Sequence, residues 1–348
     1  MKQLLLLTFV LLFFPGASLA GEPQTSASVL QQQKKVRVVI DNDYCGDPDG
    51  LFQLAHQLLC STTDIRGIVG GHLSANAGFT QSNTQATESC DKVRELVRLM
   101  GVGSQIPVVP GSETGLTSIL VPAESEGARL IVREARQCTP EHPLYVLCGA
   151  SLTNIASAWL MDSTIQDRVV LVWIGGQEYP ELGMTPPPGY TQVEYNLNLS
   201  IPAGQVIFNR SKIRIWQVPR NAYRQCMYSL DEARRALASC GKAGSYLMGQ
   251  LEKVIASCEK YGIPMGETYI LGDSPLVLLT SLQSGFEADP ASSDYRYVQA
   301  PLIRDDGSYA FNHQSRLIRV YTRIDTRLMF GDMEAKFARY LATSASAR

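Results

Sequence analysis

Four aspartates lie close together directly after the first apolar run of the mature chain. The run is VRVVI, and the segment DNDYCGDPDG that follows it contains Asp41, Asp43, Asp47 and Asp49. Carboxylates that share one space repel one another unless a hard cation neutralises them, and calcium prefers oxygen ligands. The alternative is a solvated acidic turn in which Asp47 or Asp49 caps the helix that begins near Leu51. The position directly after a buried strand favours the cation site.

The elements that must position these aspartates alternate along the chain. Apolar, β-branched runs predict strands, and helical stretches such as LFQLAHQLL and NIASAWLMD follow several of them; the runs are 36–40, 64–71, 143–149, 169–176 and 212–218. Strands that are apolar throughout and alternate with helices indicate an α/β fold, with a mostly parallel sheet covered by helices on both faces. Ligands of such sheets bind at the carboxyl ends of the strands. The aspartates therefore lie on the predicted binding edge.

Composition and charge limit the function classes. The 348 residues are 45% hydrophobic and 18% charged, which is ordinary globular usage, and the formal net charge of −2 argues against a nucleic-acid partner. Residues 1–20 have one lysine, an apolar run and Ser18-Leu19-Ala20, which predicts a signal peptide cleaved near Ala20 and export to the periplasm or medium. An uncleaved anchor is the alternative. No later run is apolar enough to predict a membrane span.

Three further expectations concern the mature chain. Residues 21–34 are rich in Gln, Ser and Thr and predict a flexible N-terminus, and residues 35–348 are expected to form a single α/β domain. Eight cysteines in an exported chain make some disulfides plausible, although the sequence does not reveal their pairing. No Cys/His cluster has the spacing of a zinc site.

Several segments, taken in order, resemble the inosine-uridine nucleoside hydrolase family. VVIDNDYCGDPDGLFQLAHQLL is similar to the family's opening strand, loop and helix, in the longer-loop variant DxDxGxxxDD. The later segments that resemble family motifs in the same order are GIVGG, IPVVPGSE, CGASLTNIA, WIGG, VEYNLNLSIPAGQVIF and LGDSPLVLL. The resemblance spans roughly residues 36–335, and its strength lies in the ordered set rather than in any one match.

The resemblance implies a calcium-dependent hydrolysis of the N-glycosidic bond of nucleosides. The implied calcium ligands are the Asp43, Asp49 and Asp273 carboxylates and the main-chain oxygen of Thr153. Asp43 is also the implied base, which deprotonates a calcium-bound water, while Asp41 orients the loop from behind. The residues implied for substrate binding are Asp47, Glu194, Asn196 and His72. Thr153 as a helix N-cap and Asp273 as a turn residue are the alternatives.

The sequence also departs from the family pattern. Gly50 stands where the family places the second carboxylate of the DD pair, and Asp47 is the candidate to replace it. His72 stands in place of an asparagine, and Gly272 stands where many members have a histidine that is one proposed acid for the leaving base. This leaves that acid and the base preference open, with His72, His313 and Tyr190 as pocket candidates, whereas His56 and His142 are expected to be structural.

Three functions remain on this basis: an exported nucleoside hydrolase, a related hydrolase acting on another furanosyl or N-glycosyl substrate, and a nucleoside- or ribose-binding protein without turnover. Measured glycosidic cleavage separates the first two from the third. The resemblance also makes a homo-oligomer plausible, but no surface pattern indicates which one.

Overall fold

The computed structural model of the protein describes residues 35–75, 77–80, 82–286, 289–311 and 314–346. The predicted signal peptide at 1–20, the predicted flexible segment 21–34 and His313 lie outside the described residues.

The strands form one large sheet and two small ribbons. In chain order they are β1 (Val36–Asn42), β2 (Thr63–Gly70), β3 (Val108–Pro110), β4 (Leu144–Cys148), β5 (Val169–Ile174), β6 (Arg214–Val218), β7 (Met227–Ser229), β8 (Thr268–Ile270), β9 (Asp294–Gln299), β10 (Leu302–Ile303), β11 (Tyr309–Ala310) and β12 (Leu317–Arg323). The main sheet has eight strands in the order β3-β2-β1-β4-β5-β6-β12-β9, and β7 pairs with β8 and β10 with β11.

Parallel pairing dominates the main sheet, because all its neighbouring strands are parallel except β12 and β9. The fold class predicted from the sequence, a mostly parallel α/β sheet, is thus confirmed, and all five predicted strands are present. The edge strands β3 and β9, and β12 (LIRVYTR) between β6 and β9, were not predicted as strands. Two arginines interrupt β12. β3 has only three residues, and β9 (DYRYVQ) is largely exposed, so neither gives a fully apolar run.

Helices cover both faces of the sheet. In chain order they are α1 (Asp49–Leu58), α2 (Gln85–Met100), α3 (Glu126–Arg136), α4 (Thr153–Met161), α5 (Tyr195–Asn198), α6 (Ile201–Gln205), α7 (Arg220–Tyr223), α8 (Leu230–Ala238), α9 (Gly241–Lys260), α10 (Pro275–Ser281) and α11 (Thr326–Ser346). Short 3₁₀ turns occupy Ser163–Arg168 and Pro180–Leu182, and a π turn occupies Val206–Arg210.

The two cores on either side of the sheet follow from the alternation of strand side chains. Val38 and Ile40 of β1 pack into the core beneath α1, α2 and α11, whereas Val39 packs into the core beneath α3 and α4. A strand buried on both faces must be apolar at every position, as VRVVI nearly is.

The register of the central strands brings their carboxyl ends together. Asp41 of β1 pairs with Cys148 of β4, and Cys148 pairs with Trp173 of β5. The Gly149 N–H donates to the Asp41 carbonyl at 3.0 Å, which holds the two strand ends side by side. The loops after these strands therefore open at one edge of the sheet.

The cysteines and the helix hydropathy bear on two further expectations from the sequence. All eight cysteines are free, and six of them are buried, so the expectation of disulfides was wrong for the structure. The buried thiols fill core positions as small apolar groups. Within the described residues, no helix combines the length and apolar character needed to cross a bilayer.

Candidate active site

A cavity of about 630 Å³ opens at the carboxyl edge of the sheet. One side of it is acidic and polar, lined by Asp43, Asp47, Asp49, Glu194, Asn196 and Asp273. The rest of the lining is mainly apolar and aromatic, and consists largely of Phe79, Tyr195, Tyr223, Met227, Pro264, Met265, Tyr269 and Ile270. A cleft lined by both polar and apolar groups suits a ligand that joins a hydroxylated group to a planar ring.

The aspartate loop is tied to Asp273 by hydrogen bonds. The Asn42 Nδ2 donates to the Asp273 Oδ2 at 2.8 Å, and the Asp273 N–H donates to the Asp49 Oδ2 at 3.2 Å. The Asp49 N–H in turn donates to the Asp47 Oδ1 at 3.0 Å. Asp47 thus accepts from the first residue of α1 without being its N-cap, which is Pro48, and it also lines the cavity.

Burial and mutual repulsion raise the pKa of three of these carboxyls. The pKa of Asp273 is raised to about 7, mainly by burial and also by the charge of Asp47. The pKa values of Asp43 and Asp49 are raised well above their usual range, first by burial and then by the charges of Asp273 and Asp47. The described side chains that line the cavity include no lysine, arginine or histidine. A cation is therefore what would allow these groups to be charged together.

The donor set fits calcium by its chemistry, since it consists of carboxylate and main-chain oxygens. Its spacing is wider than a direct coordination shell. No three of the cavity's aspartates have donor atoms that all lie within 4.8 Å of one another. Among the described residues, the three side chains that do meet this limit are His56, Cys60 and Asp332. Binding by three of these aspartates therefore needs one carboxylate to move closer or a water to bridge it.

Asp41 lies behind this cavity rather than in it. It is fully buried, its Oδ1 accepts from the Asn154 Nδ2 at 3.0 Å, and its Oδ2 has no partner among the described residues. Burial raises the pKa of Asp41 to about 7, and the bond from Asn154 lowers it in part. Because Asn154 belongs to α4, this bond fixes the end of β1 against that helix.

Glu194 and Asn196 line the cavity and also join its loops. The Glu194 carboxylate accepts from the N–H groups of Gly176, Asn196 and Leu197 at 2.7–3.1 Å and from the Tyr223 hydroxyl at 3.0 Å. The Asn196 Nδ2 donates to the carbonyl oxygens that end β4 and β5, those of Gly149 and Ile174. Both side chains are thereby fixed before any ligand arrives.

Thr153 and His72 contact each other outside the lining of the acidic cavity. The Thr153 main-chain oxygen accepts from the Ser157 Oγ at 2.7 Å within α4, and its side chain bonds to the His72 Nε2 at 3.0 Å. Neither residue lines the acidic cavity; His72 lines a neighbouring cavity with Glu113 and Asn198. Burial lowers the pKa of His72. The main-chain group of this region that does line the acidic cavity is Gly149.

The remaining histidine and tyrosine candidates are also placed by the structure. Tyr190 is 40% exposed, and its ring stacks on the Arg220 guanidinium rather than lining the acidic cavity. His56 is buried and bonds to Asp332, while His142 lies in a turn after Thr139.

Sequence reasoning missed two polar contributors to the site. Asn42 stands between two recognised aspartates, and its position in DND was the available signal. Tyr223 follows β6 in a segment, RNAYRQ, that carries no recognisable pattern. The apolar side of the cavity was missed too, because its members come from loops with no periodicity.

A side chain at position 149 would disturb the site directly. A Cβ on Gly149 would lie 2.5 Å from the Asn42 Nδ2 and 2.7 Å from the Asp273 Cγ. We expect Gly149→Ala to displace both groups and to lower ligand affinity, measured by calorimetry. Gly249→Ala on α9, where a Cβ meets no atom within 4 Å, is the matched control and should bind normally.

The raised pKa of Asp273 predicts how stability depends on pH in the presence of a chelator. The folded protein holds this proton up to about pH 7, whereas the unfolded chain releases it near 3.8. The free energy of unfolding is therefore expected to fall as pH rises through this window, by up to about 1.4 kcal/mol per pKa unit. Urea unfolding across the window measures it, and a steady rise in stability would contradict the assignment.

The sheet order and the edge cavity define a fold class, which solved structures identify as that of the nucleoside hydrolases. No protein-family model and no curated protein matches the sequence. A plant nucleoside hydrolase is similar at 16% identity with a TM-score of 0.65, covering 88% of this chain and 99% of its own. A purine-preferring ribonucleoside hydrolase from Gardnerella vaginalis is 14% identical with a TM-score of 0.69, and it also covers 88% of this chain and 99% of its own.

An inosine-uridine preferring nucleoside hydrolase from Bacillus anthracis is 13% identical with a TM-score of 0.63, covering 88% of this chain and 100% of its own. At these identities the similarity concerns the fold, and it extends over the whole length of each neighbour. The predicted nucleoside hydrolase-like fold is confirmed.

Proposed function

We propose that this protein hydrolyses the N-glycosidic bond of ribonucleosides, releasing the free base and ribose. The observation that carries the proposal is the convergence of Asp43, Asp47, Asp49 and Asp273 in one cavity at the carboxyl edge of the sheet. The similar solved structures are those of nucleoside hydrolases, which supports the same chemistry here.

The two sides of the cavity suggest how a nucleoside lies in it. The ribosyl group faces the acidic side, where Asp47, Glu194 and Asn196 offer oxygen and amide groups to its hydroxyls. The base faces the apolar side, where Phe79 and Met265 offer surface to a planar ring. This orientation puts the C1 carbon nearest the acidic side.

Asp43 is the proposed general base. Its carboxylate is held in the cavity by a loop whose Gly46 N–H donates to the Asp43 carbonyl at 2.7 Å and whose Asn42 Oδ1 accepts from the Asp43 N–H at 2.9 Å. A raised pKa makes a carboxylate a stronger base, which suits removal of a proton from water. The surrounding carboxylates favour the positive charge that develops on the ribosyl ring as the bond to the base breaks.

Calcium is the proposed cofactor, held by Asp43, Asp49 and Asp273 after the adjustment that their spacing requires. When bound, it supplies the positive charge that acidifies and positions the attacking water. The fourth ligand implied by the resemblance is the Thr153 carbonyl, which accepts a hydrogen bond from the Ser157 Oγ. Gly149, whose carbonyl accepts from the Asn196 Nδ2, lines the cavity and is a second candidate for a main-chain ligand.

A hydrolase for another furanosyl or N-glycosyl substrate is the second candidate, and Gly50 favours it. A Cβ at this position would lie 2.7 Å from the Asn42 Nδ2, so the amide of Asn42 fills the space beside Gly50. The absence of a carboxylate at Gly50 changes the ribosyl side of the cavity, where sugar specificity is decided. A binding protein without turnover is the remaining candidate.

Export after cleavage near Ala20 and assembly into a homo-oligomer stay part of the proposal. Both stand on the sequence: the first on the pattern of residues 1–20, and the second on the resemblance alone.

The deciding experiment is chromatography of free base released from inosine, uridine, adenosine and guanosine by the purified mature protein, with calcium and with a chelator. Release that the chelator abolishes supports the proposed reaction and its cofactor, and the panel ranks the substrates. Binding of nucleosides without release would reject hydrolysis of them and favour a binding protein. Release only from other glycosides would favour the second candidate.

A further inference from the structure

A second group of ligating side chains lies at the opposite end of α1 from the aspartates. His56 is in the last turn of α1, Cys60 follows its end, and Asp332 is on α11. One donor atom from each of these three residues lies within 4.8 Å of the other two. His56 lies seven residues after Asp49 on this helix, so the two groups are separated by about 10 Å along its axis.

The contacts of His56 connect the two helices. Its Nε2 lies 2.7 Å from the Asp332 Oδ2, and its side chain is fully buried. The Nδ1 of the same ring has no partner among the described residues, although it is buried. A buried imidazole with an unpartnered nitrogen is unusual in a purely structural role, because the unmade hydrogen bond costs free energy.

Cys60 approaches the same point from the helix end. Its thiol donates to the His56 carbonyl at 3.4 Å, since residues four apart share one face of a helix. Cys60 is half-buried and Asp332 is 26% exposed on its side chain, so an ion in solution can reach both. Burial raises the pKa of the Cys60 thiol to about 11, so the group is a thiol until a metal displaces the proton.

We propose that His56, Cys60 and Asp332 form a binding site for a zinc-class divalent ion, separate from the aspartate cavity. One imidazole nitrogen, one thiolate sulfur and one carboxylate oxygen make up a donor set typical of zinc and cobalt and foreign to calcium. On binding, metal–nitrogen, metal–sulfur and metal–oxygen bonds form, and the Cys60 proton leaves to solvent. Water completes the four-coordinate shell.

Lys336 is the group that competes with the ion. Its Nζ donates to the Asp332 Oδ2 from one turn further along α11, so a cation already neutralises this carboxylate. The incoming ion displaces Lys336, whose side chain can swing into solvent. This competition makes Lys336 a position at which affinity should increase on mutation.

The test is a titration of the purified, reduced protein with Co²⁺, followed by the thiolate-to-cobalt absorption band in the near ultraviolet. We expect the band in the wild type and its loss in Cys60→Ser. Cys258→Ser is the matched control, because Cys258 is the other half-buried cysteine, and it should keep the band. Asp273→Ala should also keep it, which separates this proposal from the nucleoside site, whose ligands contain no sulfur.

Two further variants test Asp332 and the competing Lys336. Asp332→Asn should weaken Co²⁺ binding by at least about tenfold. Lys336→Met should tighten it, because the competing ammonium is removed. A wild type without the band at millimolar Co²⁺, or a band that persists in Cys60→Ser, would overturn the proposal whatever the outcome of the nucleoside assay.

Discussion

Asp43→Asn is expected to lower the kcat for base release by about 10²–10⁴-fold, the usual contribution of a general base. The amide has the shape of the carboxylate but cannot accept the proton. The fold should survive, because the Asp43 carboxyl is already disfavoured as an anion by burial and by the charges of Asp273 and Asp47. Steady-state kinetics on the best nucleoside and a thermal melt measure the two effects.

The matched control is Asp167→Asn, an exposed aspartate in the turn before β5, at the opposite edge of the sheet. It removes the same charge and should leave the kcat unchanged. Full turnover in Asp43→Asn would remove Asp43 as the base. An unfolded variant would show instead that the loop depends on this carboxylate.

The acidic edge was predictable because its signal is local. Asp43, Asp47 and Asp49 follow one buried strand, and a parallel sheet places everything after its strands on one edge. Asp273 could be placed beside them only through the ordered resemblance, since it is 224 residues from Asp49 along the chain. The hydrogen bond between the two residues is a product of the fold as a whole.

The position of Thr153 and His72 outside the lining of the acidic cavity has a physical origin. A sequence motif indicates which strand end or helix a residue belongs to, but not where its carbonyl or its side chain points. Thr153 is the first residue of α4, and its carbonyl points along the helix to Ser157, while its hydroxyl bonds to His72. The group formed by His56, Cys60 and Asp332 was not predicted from the sequence for another reason. Its third member, Asp332, is 276 residues from His56 along the chain.

The apolar side of the cavity has no sequence signal of its own. Met227, Pro264, Met265 and Ile270 come from the β7–β8 ribbon and the loop after α9. Their apolar character is visible in the sequence, but the side chain of Met227 is 57% exposed and follows no helical or strand period. In the proposed orientation these residues face the base, so the motifs that carry the resemblance hold no information on base preference.

Glu178→Gln is expected to lower the free energy of unfolding by about 3–5 kcal/mol, because it leaves the Arg220 guanidinium buried without its partner charge. The two side chains are 2% and 5% exposed, and both of their hydrogen bonds are 2.6 Å long. Urea unfolding measures the loss. Asp231→Asn, which breaks the exposed pair with Arg234, is the control and should change stability far less.

The same ion pair also positions the active site. Arg220 begins α7, and α7 ends at Tyr223, whose hydroxyl donates to Glu194 at the cavity. Loosening Arg220 should therefore raise the KM for nucleosides in Glu178→Gln more than it lowers the kcat, because Asp43 lies on a different loop. The double variant Glu178→Leu with Arg220→Met removes both charges and should recover much of the lost stability. If it recovers stability but not the KM, the pair is retained to orient Tyr223 rather than to stabilise the fold.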